Sequence, residues 1–294
     1  MNSVEPQLRT QYWNDLKARK AFQEFIVTIH NLDFTKWQAA GFWDDDYIPF
    51  TYFEGEKIVS SACIYTMPAI VNGRKTKVAQ VSGVGTLPEY RRRGLNRRLT
   101  EVALDWAFQE HEFVFLFSDV EAIPFYQKCG FRPVNDYAEV TKLPATRPRA
   151  GLRKREIVVD RRDQTLKLLY ELACEREPIS DAFSNSNPKL LMFHALYSLR
   201  EHIYFIEELR VVIFLKREPG RTIVFDVLAR KLPSFDELYP YLATGSAEEF
   251  EFRFFTDKLN VPQTRFKQLL GNDVHVMGPV SLREKIVFPY TLKA

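Results

Sequence analysis

Apolar positions along the first half of the chain recur with two different periods. From Leu16 to Ile29 the apolar residues Leu16, Phe22, Phe25, Ile26 and Ile29 fall on one helical face, with Asn14 as the expected cap. No strand is legible before this helix. Tyr47–Phe53, Lys57–Ile70 and Lys75–Leu87 read as strands, separated by a turn at Glu54-Gly55-Glu56 and by Asn72-Gly73, the strongest hairpin signal in the sequence. A second helical face follows, with Leu95, Leu99, Val102 and Trp106 along Leu95–Phe108. The continuous apolar run Phe113–Phe117 predicts a strand buried on both faces. A short helix ends at Cys129, with Pro124 near its start and Gly130 as its stop. Tyr137–Lys142 reads as the last strand of this module.

Pro144 to Arg155 has the prolines, glycine and cations of a solvated connector. Beyond it the element order repeats. A strand at Glu156–Val159 precedes helices at Thr165–Cys174 and Leu190–Leu199. Strands follow at His202–Glu207, Arg210–Lys216 and Thr222–Ala229, then a helix at Phe235–Leu242 and a strand at Phe250–Phe255. A helix at Gln263–Leu270 and a strand at Val274–Met277 complete the series. The pattern predicts an α/β chain of the α+β, mixed-sheet kind in two modules, 1–143 and 156–294, joined by 144–155. The second module is expected to pack on the first and shape its cleft.

Composition narrows the function classes. A length of 294 residues with 46% apolar residues and 24 Phe supplies material for two cores. No apolar run approaches the ~18 residues of a membrane span, and the first residues lack the order of a secretory signal. Cys63, Cys129 and Cys174 are too scattered for a disulfide frame or a zinc site and suit reduced thiols, so a cytoplasmic location is expected. Cys129 reads as a small buried apolar residue. His30, His111, His194, His202 and His275 show no ligand spacing, and no metal is expected. A net charge of +3 makes no chain-wide demand for nucleic acid.

The charge that matters is local. Tyr90-Arg91-Arg92-Arg93-Gly94-Leu95-Asn96-Arg97 follows a strand and opens a helix. Free N–H groups at the helix start, the helix dipole and a glycine that permits close approach suit a phosphate, and the guanidiniums can add bidentate hydrogen bonds. The spacing is neither a nucleotide P-loop nor a dinucleotide fingerprint.

The stretch resembles the pyrophosphate loop of the GCN5-related N-acetyltransferases (GNAT), Gln/Arg-x-x-Gly-x-Gly/Ala, with Arg91, Gly94 and Asn96 at the marked positions; Asn96 departs from the usual small residue. Some 30 residues on, Phe125-Tyr126-x-x-x-Gly130-Phe131 resembles the Phe-Tyr-x-x-x-Gly-Phe segment after the fifth strand of that family. The whole chain is similar to bacterial acetyltransferases with a second, degenerate copy of the fold, and more distantly to the enhanced-intracellular-survival type. The resemblance thus implies tandem GNAT (acyl-CoA N-acyltransferase) folds. The second has no cofactor seat, because Arg230-Lys231-Leu232-Pro233-Ser234 lacks the loop motif.

The implied cosubstrate is acetyl-CoA, and the implied reaction is direct attack of a small-molecule amine on the thioester. The pyrophosphate would lie on Arg92, Arg93, Gly94, Leu95, Asn96 and Arg97, with Arg91 nearby. The pantetheine arm would lie along Val84, Gly85 and Thr86, and Tyr126 matches the family's general acid. The base is open, since Lys75–Thr86 contains no carboxylate. Asp44, Asp45 and Asp46 beside Trp43, then Asp119 and Glu121, are candidates for attracting a cationic amine and relaying its proton. In aminoglycoside-modifying relatives a terminal carboxylate serves. A non-catalytic acyl-CoA-binding regulatory module is the alternative from another class. Nucleic acid and membrane are not expected partners, and homo-oligomerisation is left open.

Overall fold

The computed structural model describes residues 5–155, 164–271 and 273–294. The first half runs β1 (Gln7–Thr10), α1 (Leu16–His30), α2 (Thr35–Ala39), β2 (Tyr47–Glu54), β3 (Lys57–Val71), β4 (Arg74–Thr86), α3 (Leu95–Ala107), β5 (Phe113–Ser118), α4 (Ile123–Lys128) and β6 (Arg132–Val134). The second runs β7 (Tyr137–Leu143), β8 (Leu152–Lys154), α5 (Gln164–Glu175), β9 (Phe183–Asn185), α6 (Pro188–Leu196), β10 (Ile203–Ile206), β11 (Val211–Glu218), β12 (Arg221–Leu228), α7 (Phe235–Leu242), β13 (Glu248–Phe252), β14 (Arg265–Gln268) and β15 (Asp273–Met277). One mixed sheet has the order β1-β2-β3-β4-β5-β15-β6, with β9 added on β3. The other has the order β14-β7-β13-β12-β11-β10-β8. This is the expected mixed α/β architecture with two sheets.

The first sheet is covered on both faces because its strands alternate two apolar sets. Ile48, Phe50, Ala62, Ile64, Ala79, Val81, Val114 and Leu116 pack with Leu99, Ala103 and Ala107 of α3. Tyr47, Cys63, Met67, Val78, Phe113 and Phe115 pack with Phe22, Phe25 and Ile26 of α1 on the other face. Phe22 and Ile26 are fully buried, each contributing about 1.5–3 kcal/mol through apolar burial. Leu16, expected on this face, is exposed, as is Val102 of α3. The cap of α1 is Asp15 rather than Asn14; its Oδ1 accepts from the amides of Lys17 and Ala18, both at 3.0 Å.

The last strand of each half crosses to the other half's sheet. Tyr137–Leu143, expected to finish the first sheet, pairs with β13 and β14 in the second. β15 takes the corresponding place between β5 and β6. Each half thereby fills a gap that would otherwise leave two strand edges open. The strand β9 adds to β3 through Ala69–Val71, a further tie between the halves. The structure also differs from the sequence reading in smaller places, among them α2, β6 and β9, which the pattern did not predict. Gln7–Thr10 is a short strand on β2, and Arg265–Gln268 is an edge strand where a helix was expected. Leu152–Lys154, inside the expected connector, pairs with β10. The strand expected at Glu156–Val159 lies outside the described residues.

Candidate active site

β4 and β5 start as neighbours and then part. They pair in parallel only at Val78–Gln80 with Phe113–Phe115, although β4 continues to Thr86 and β5 to Ser118. The cause lies in β4. Its register against β3 slips between Ser61/Cys63 and Gly85/Ser82, so β4 carries one extra residue, and Gly83 takes a left-handed φ of +56°. Beyond this bulge, β4 has no strand partner on its β5 side among the described residues, which leaves the backbone of Val84, Gly85 and Thr86 as an edge.

Asn96 fixes this geometry. Its side-chain amide donates to the carbonyls of Ser61 (2.9 Å) and Gly85 (3.1 Å), tying the start of α3 to the bulge. A small residue could not make these bonds, which accounts for the departure from the family pattern. Gly85 is required by a second contact. A Cβ there would stand 2.5 Å from Ile29 Cγ2 and 3.4 Å from His30 Nε2. Gly85→Ala should therefore cost about 1–3 kcal/mol in thermal denaturation through overpacking. With Ile29→Ala added, the total cost should fall short of the sum of the two single changes, because they share one contact.

The Arg-rich turn is exposed from Arg91 to Gly94. Arg92 (φ +62°) and Gly94 (φ +73°) both take left-handed conformations. Gly94 caps α3 without a side-chain bond, and the first amide to find an acceptor is that of Arg98, to Gly94 O at 3.2 Å. Six successive amides, Arg92 to Arg97, have no acceptor among the described residues. That is an anion seat built from main chain. The side chains are partly committed. Arg91 Nε donates to Thr86 O at 3.1 Å and Arg93 Nη2 to Glu89 O at 2.8 Å, while Arg97 pairs with Glu101 at 2.9 Å. The Arg92 guanidinium has no partner among the described residues.

Tyr126, on α4, lies on the α3 side of the sheet and is buried against Phe125 and Phe131, with ring centroids at 5.1 and 6.0 Å. No protein group among the described residues hydrogen-bonds its hydroxyl. Burial, then the neighbouring Cys129 and Asp119, pushes the phenol well above its ordinary value, so it keeps its proton. Asp119 follows β5 directly and is exposed; Glu121, also exposed, sits in the short turn before α4.

The acids of the Asp44–Asp46 run are elsewhere. Asp45 and Asp46 line a cavity with Lys77 and Trp106, at the start of β4. Nine residues of strand, roughly 30 Å, separate Lys77 from Thr86 and the Arg turn. Asp44 and Asp46 instead pair with Lys189 of α6, with Nζ at 3.0 Å from Asp46 Oδ2. Burial works against the Lys189 charge, yet the hydrogen bonds it donates to both acids outweigh it and hold its pKa above the ordinary lysine value. The three carboxylates lie within 4.8 Å of one another, and an ammonium already fills the place a cation would take. Trp43 is buried, stacked on Phe22 at 5.8 Å. The run thus joins the two halves, and the structure does not bring it to Tyr126.

The end of the sequence reaches β4. The Ala294 amide donates to Gln80 Oε1 (2.8 Å), and Gln80 Nε2 donates to Ala294 O (3.2 Å). Beside it, the Lys293 ammonium sits 4.4 Å from the Phe117 ring centroid, its pKa pushed down to about 8 by burial.

A sequence model of the acetyltransferase (GNAT) family, whose members are acyl-CoA-dependent acyltransferases, matches residues 11–131, which hold the bulged β4, the Arg turn and Tyr126. No curated protein sequence matches the chain. Among solved structures, a probable N-acyltransferase from Enterococcus faecalis V583 superposes with a TM-score of 0.60 at 14% identity, over 93% of this chain and 72% of that one. A GCN5-related N-acetyltransferase from Anabaena variabilis gives 0.55 at 13%, over 92% and 72%. Eis1 from Mycobacterium abscessus gives 0.53 at 16%, also over 92% and 72%. These likenesses extend the shared fold across both halves. Among the described residues no helix is long and apolar enough to cross a membrane. Residues 11–131 are thus similar in sequence to the acetyltransferase (GNAT) family.

Proposed function

We propose that the protein is an acetyl-CoA-dependent N-acetyltransferase that acetylates a primary amine of a small molecule by direct attack in a ternary complex. The observation that carries this reading is the run of six acceptor-free amides at the foot of α3, next to an edge of β4 that has lost its partner. Main-chain donors from Arg92 to Arg97 suit a diphosphate, with the Arg92 guanidinium free to add a charge-assisted bond. From there, the edge at Val84, Gly85 and Thr86 would hold an extended pantetheine arm by strand-like hydrogen bonds. An N–H of that edge would polarise the thioester carbonyl as charge develops on its oxygen. Tyr126 would face the departing sulfur with its proton in place. We assign these roles to 1–143 and a supporting role to 156–294, whose Ala229–Ser234 segment lacks the loop residues.

The test is binding and turnover together. Acetyl-CoA should raise the melting temperature, as a ligand selective for the folded state must. A panel of primary amines should release free CoA thiol. Replacing Arg92 and Arg93 together with Ala should raise the KM for acetyl-CoA about tenfold or more, since bonds to charged groups are worth about 1.5–3 kcal/mol each. The kcat at saturation should stay within about twofold, because those contacts hold ground state and transition state alike. An unchanged KM would remove the turn from cofactor binding.

A second reading, a non-catalytic acyl-CoA-binding regulatory module, is favoured by one feature: Gln80 stands on β4 where no carboxylate occurs. Binding of acetyl-CoA without thiol release by any amine would establish it.

A further inference from the structure

The second half repeats the splayed strand of the first. β12 pairs in parallel with β13 only from Arg221 to Val224, then runs on to Leu228 with no strand partner on that side among the described residues. Its register against β11 slips between Phe214/Asp226 and Leu215/Val224, so Phe225 is an extra residue and β12 is bulged, as β4 is. Here the turn Tyr290–Leu292 covers the bulge. Phe225 packs on Tyr290 with ring centroids at 4.8 Å, and Thr291 Oγ1 donates to Asp226 at 2.8 Å. An opening remains further on, where the chain leaves β12 at Ala229 and passes α5.

A cavity of about 490 Å³ lies there, with Leu168 and Leu172 of α5, Phe205 of β10, Leu209 and Ala229 as its apolar lining. That size and that lining are those of a small-molecule site. Its charged residues are not equivalent. Glu207 pairs with Arg155 at 2.9 Å and Arg153 at 3.7 Å, Glu171 lies 3.8 Å from Lys167, and Arg230 pairs with Glu175. Arg210 and Lys231 are exposed and form no ion pair among the described residues. Lys231 acts at longer range on Glu177 and Glu237, but those acids have nearer partners. Lys258 pairs with Glu177 at 2.7 Å, and the Ser234 amide donates to Glu237 at 2.8 Å. The uncompensated charge around the cavity is therefore positive.

We propose that this cavity binds a small amphipathic anion, an alkyl carboxylate whose chain lies against α5 and Phe205 and whose head is held by Arg210 and Lys231. Each part of the ligand answers one property of the site. An apolar chain takes its own surface and that of Leu168, Leu172 and Phe205 out of water. A carboxylate accepts from a guanidinium and an ammonium together, so it can engage both cations. A cationic amphiphile would meet two like charges, and the acids it needs are already paired. The site stands apart from the acetyltransferase reading: it belongs to the other sheet, and its test needs no turnover.

Titration of the full chain with octanoate, followed by calorimetry and by saturation-transfer NMR, tests the assignment. A single octanoate should bind, about tenfold tighter than hexanoate, because two more methylenes leave water. Changing Arg210→Gln and Lys231→Gln together should weaken octanoate about tenfold or more. Both side chains are exposed, so the melting temperature of this variant should stay within about 2 °C of wild type. Leu168→Asp, at a position 50% exposed, sets a charge against the chain and should also weaken octanoate about tenfold. Octyltrimethylammonium, with the same chain and the opposite charge, should bind about tenfold more weakly than octanoate. Absence of octanoate binding by both methods overturns the proposal. So does equal affinity for hexanoate and octanoate, unchanged affinity in the double variant or in Leu168→Asp, or equal binding of the cationic amphiphile.

Discussion

Tyr126→Phe is expected to lower kcat by about 10²–10³-fold, the usual worth of a positioned proton donor, while leaving acetyl-CoA binding intact. The variant is clean for structural reasons. The ring packs against Phe125 and Phe131, and phenylalanine preserves both contacts. The hydroxyl has no protein partner to lose, so the melting temperature should move by no more than a surface substitution would move it, about 0.5 kcal/mol or less. Wild-type turnover should also lack an alkaline limb up to pH 10. The proton-bearing form is the active one, and burial with Cys129 and Asp119 nearby keeps the phenol protonated past its ordinary value. Turnover equal to wild type in the variant would remove Tyr126 from the mechanism.

Arg176→Ala should produce the largest loss of stability. The Arg176 guanidinium donates to Asp226 Oδ2 at 2.8 Å, with side chains only 5% and 3% exposed. It also donates to the carbonyl of Asn185 in β9, the strand added to the first sheet. Thr291 Oγ1 donates to the same carboxylate oxygen at 2.8 Å, and Asn185 Nδ2 donates to Thr291 O at 3.1 Å. Truncating Arg176 leaves a buried carboxylate with its cation gone, a change that costs about 3–5 kcal/mol. The melting temperature should fall on the order of 10 °C. A shift of less than about 2 °C would show that the pair does not anchor β9, the strand that the second half adds to β3. The same network anchors the turn that leads to Ala294 and Gln80, so its loss should also loosen the α1 face of the cleft.

Both motifs were legible because each is local. The Arg turn works through consecutive amides and one glycine, and the Phe-Tyr segment through four positions of one short helix and its stop. The bulge in β4 could have been read from Ser82-Gly83-Val84-Gly85, since two glycines in a strand signal a bulge or a close approach. His30 was not legible. A lone histidine at a helix end shows no spacing that predicts its neighbours, and its approach to Gly85, 55 positions away, is made only by the fold. The Asp44–Asp46 run is the opposite case: its charge was visible, but Lys189, which pairs with Asp44 and Asp46, comes from the other half.

Most strands and the long helices of the first half were legible along the chain, as were the two motifs behind the proposed cofactor seat and acid, because periodicity, turn chemistry and helix termini are set by sequence neighbours. The sequence also marked Tyr137–Lys142 and Val274–Met277 as strands. Which sheet each of them joins is set by the folded chain, because an alternating apolar strand fits either sheet, and the open edge it fills belongs to residues more than a hundred positions distant.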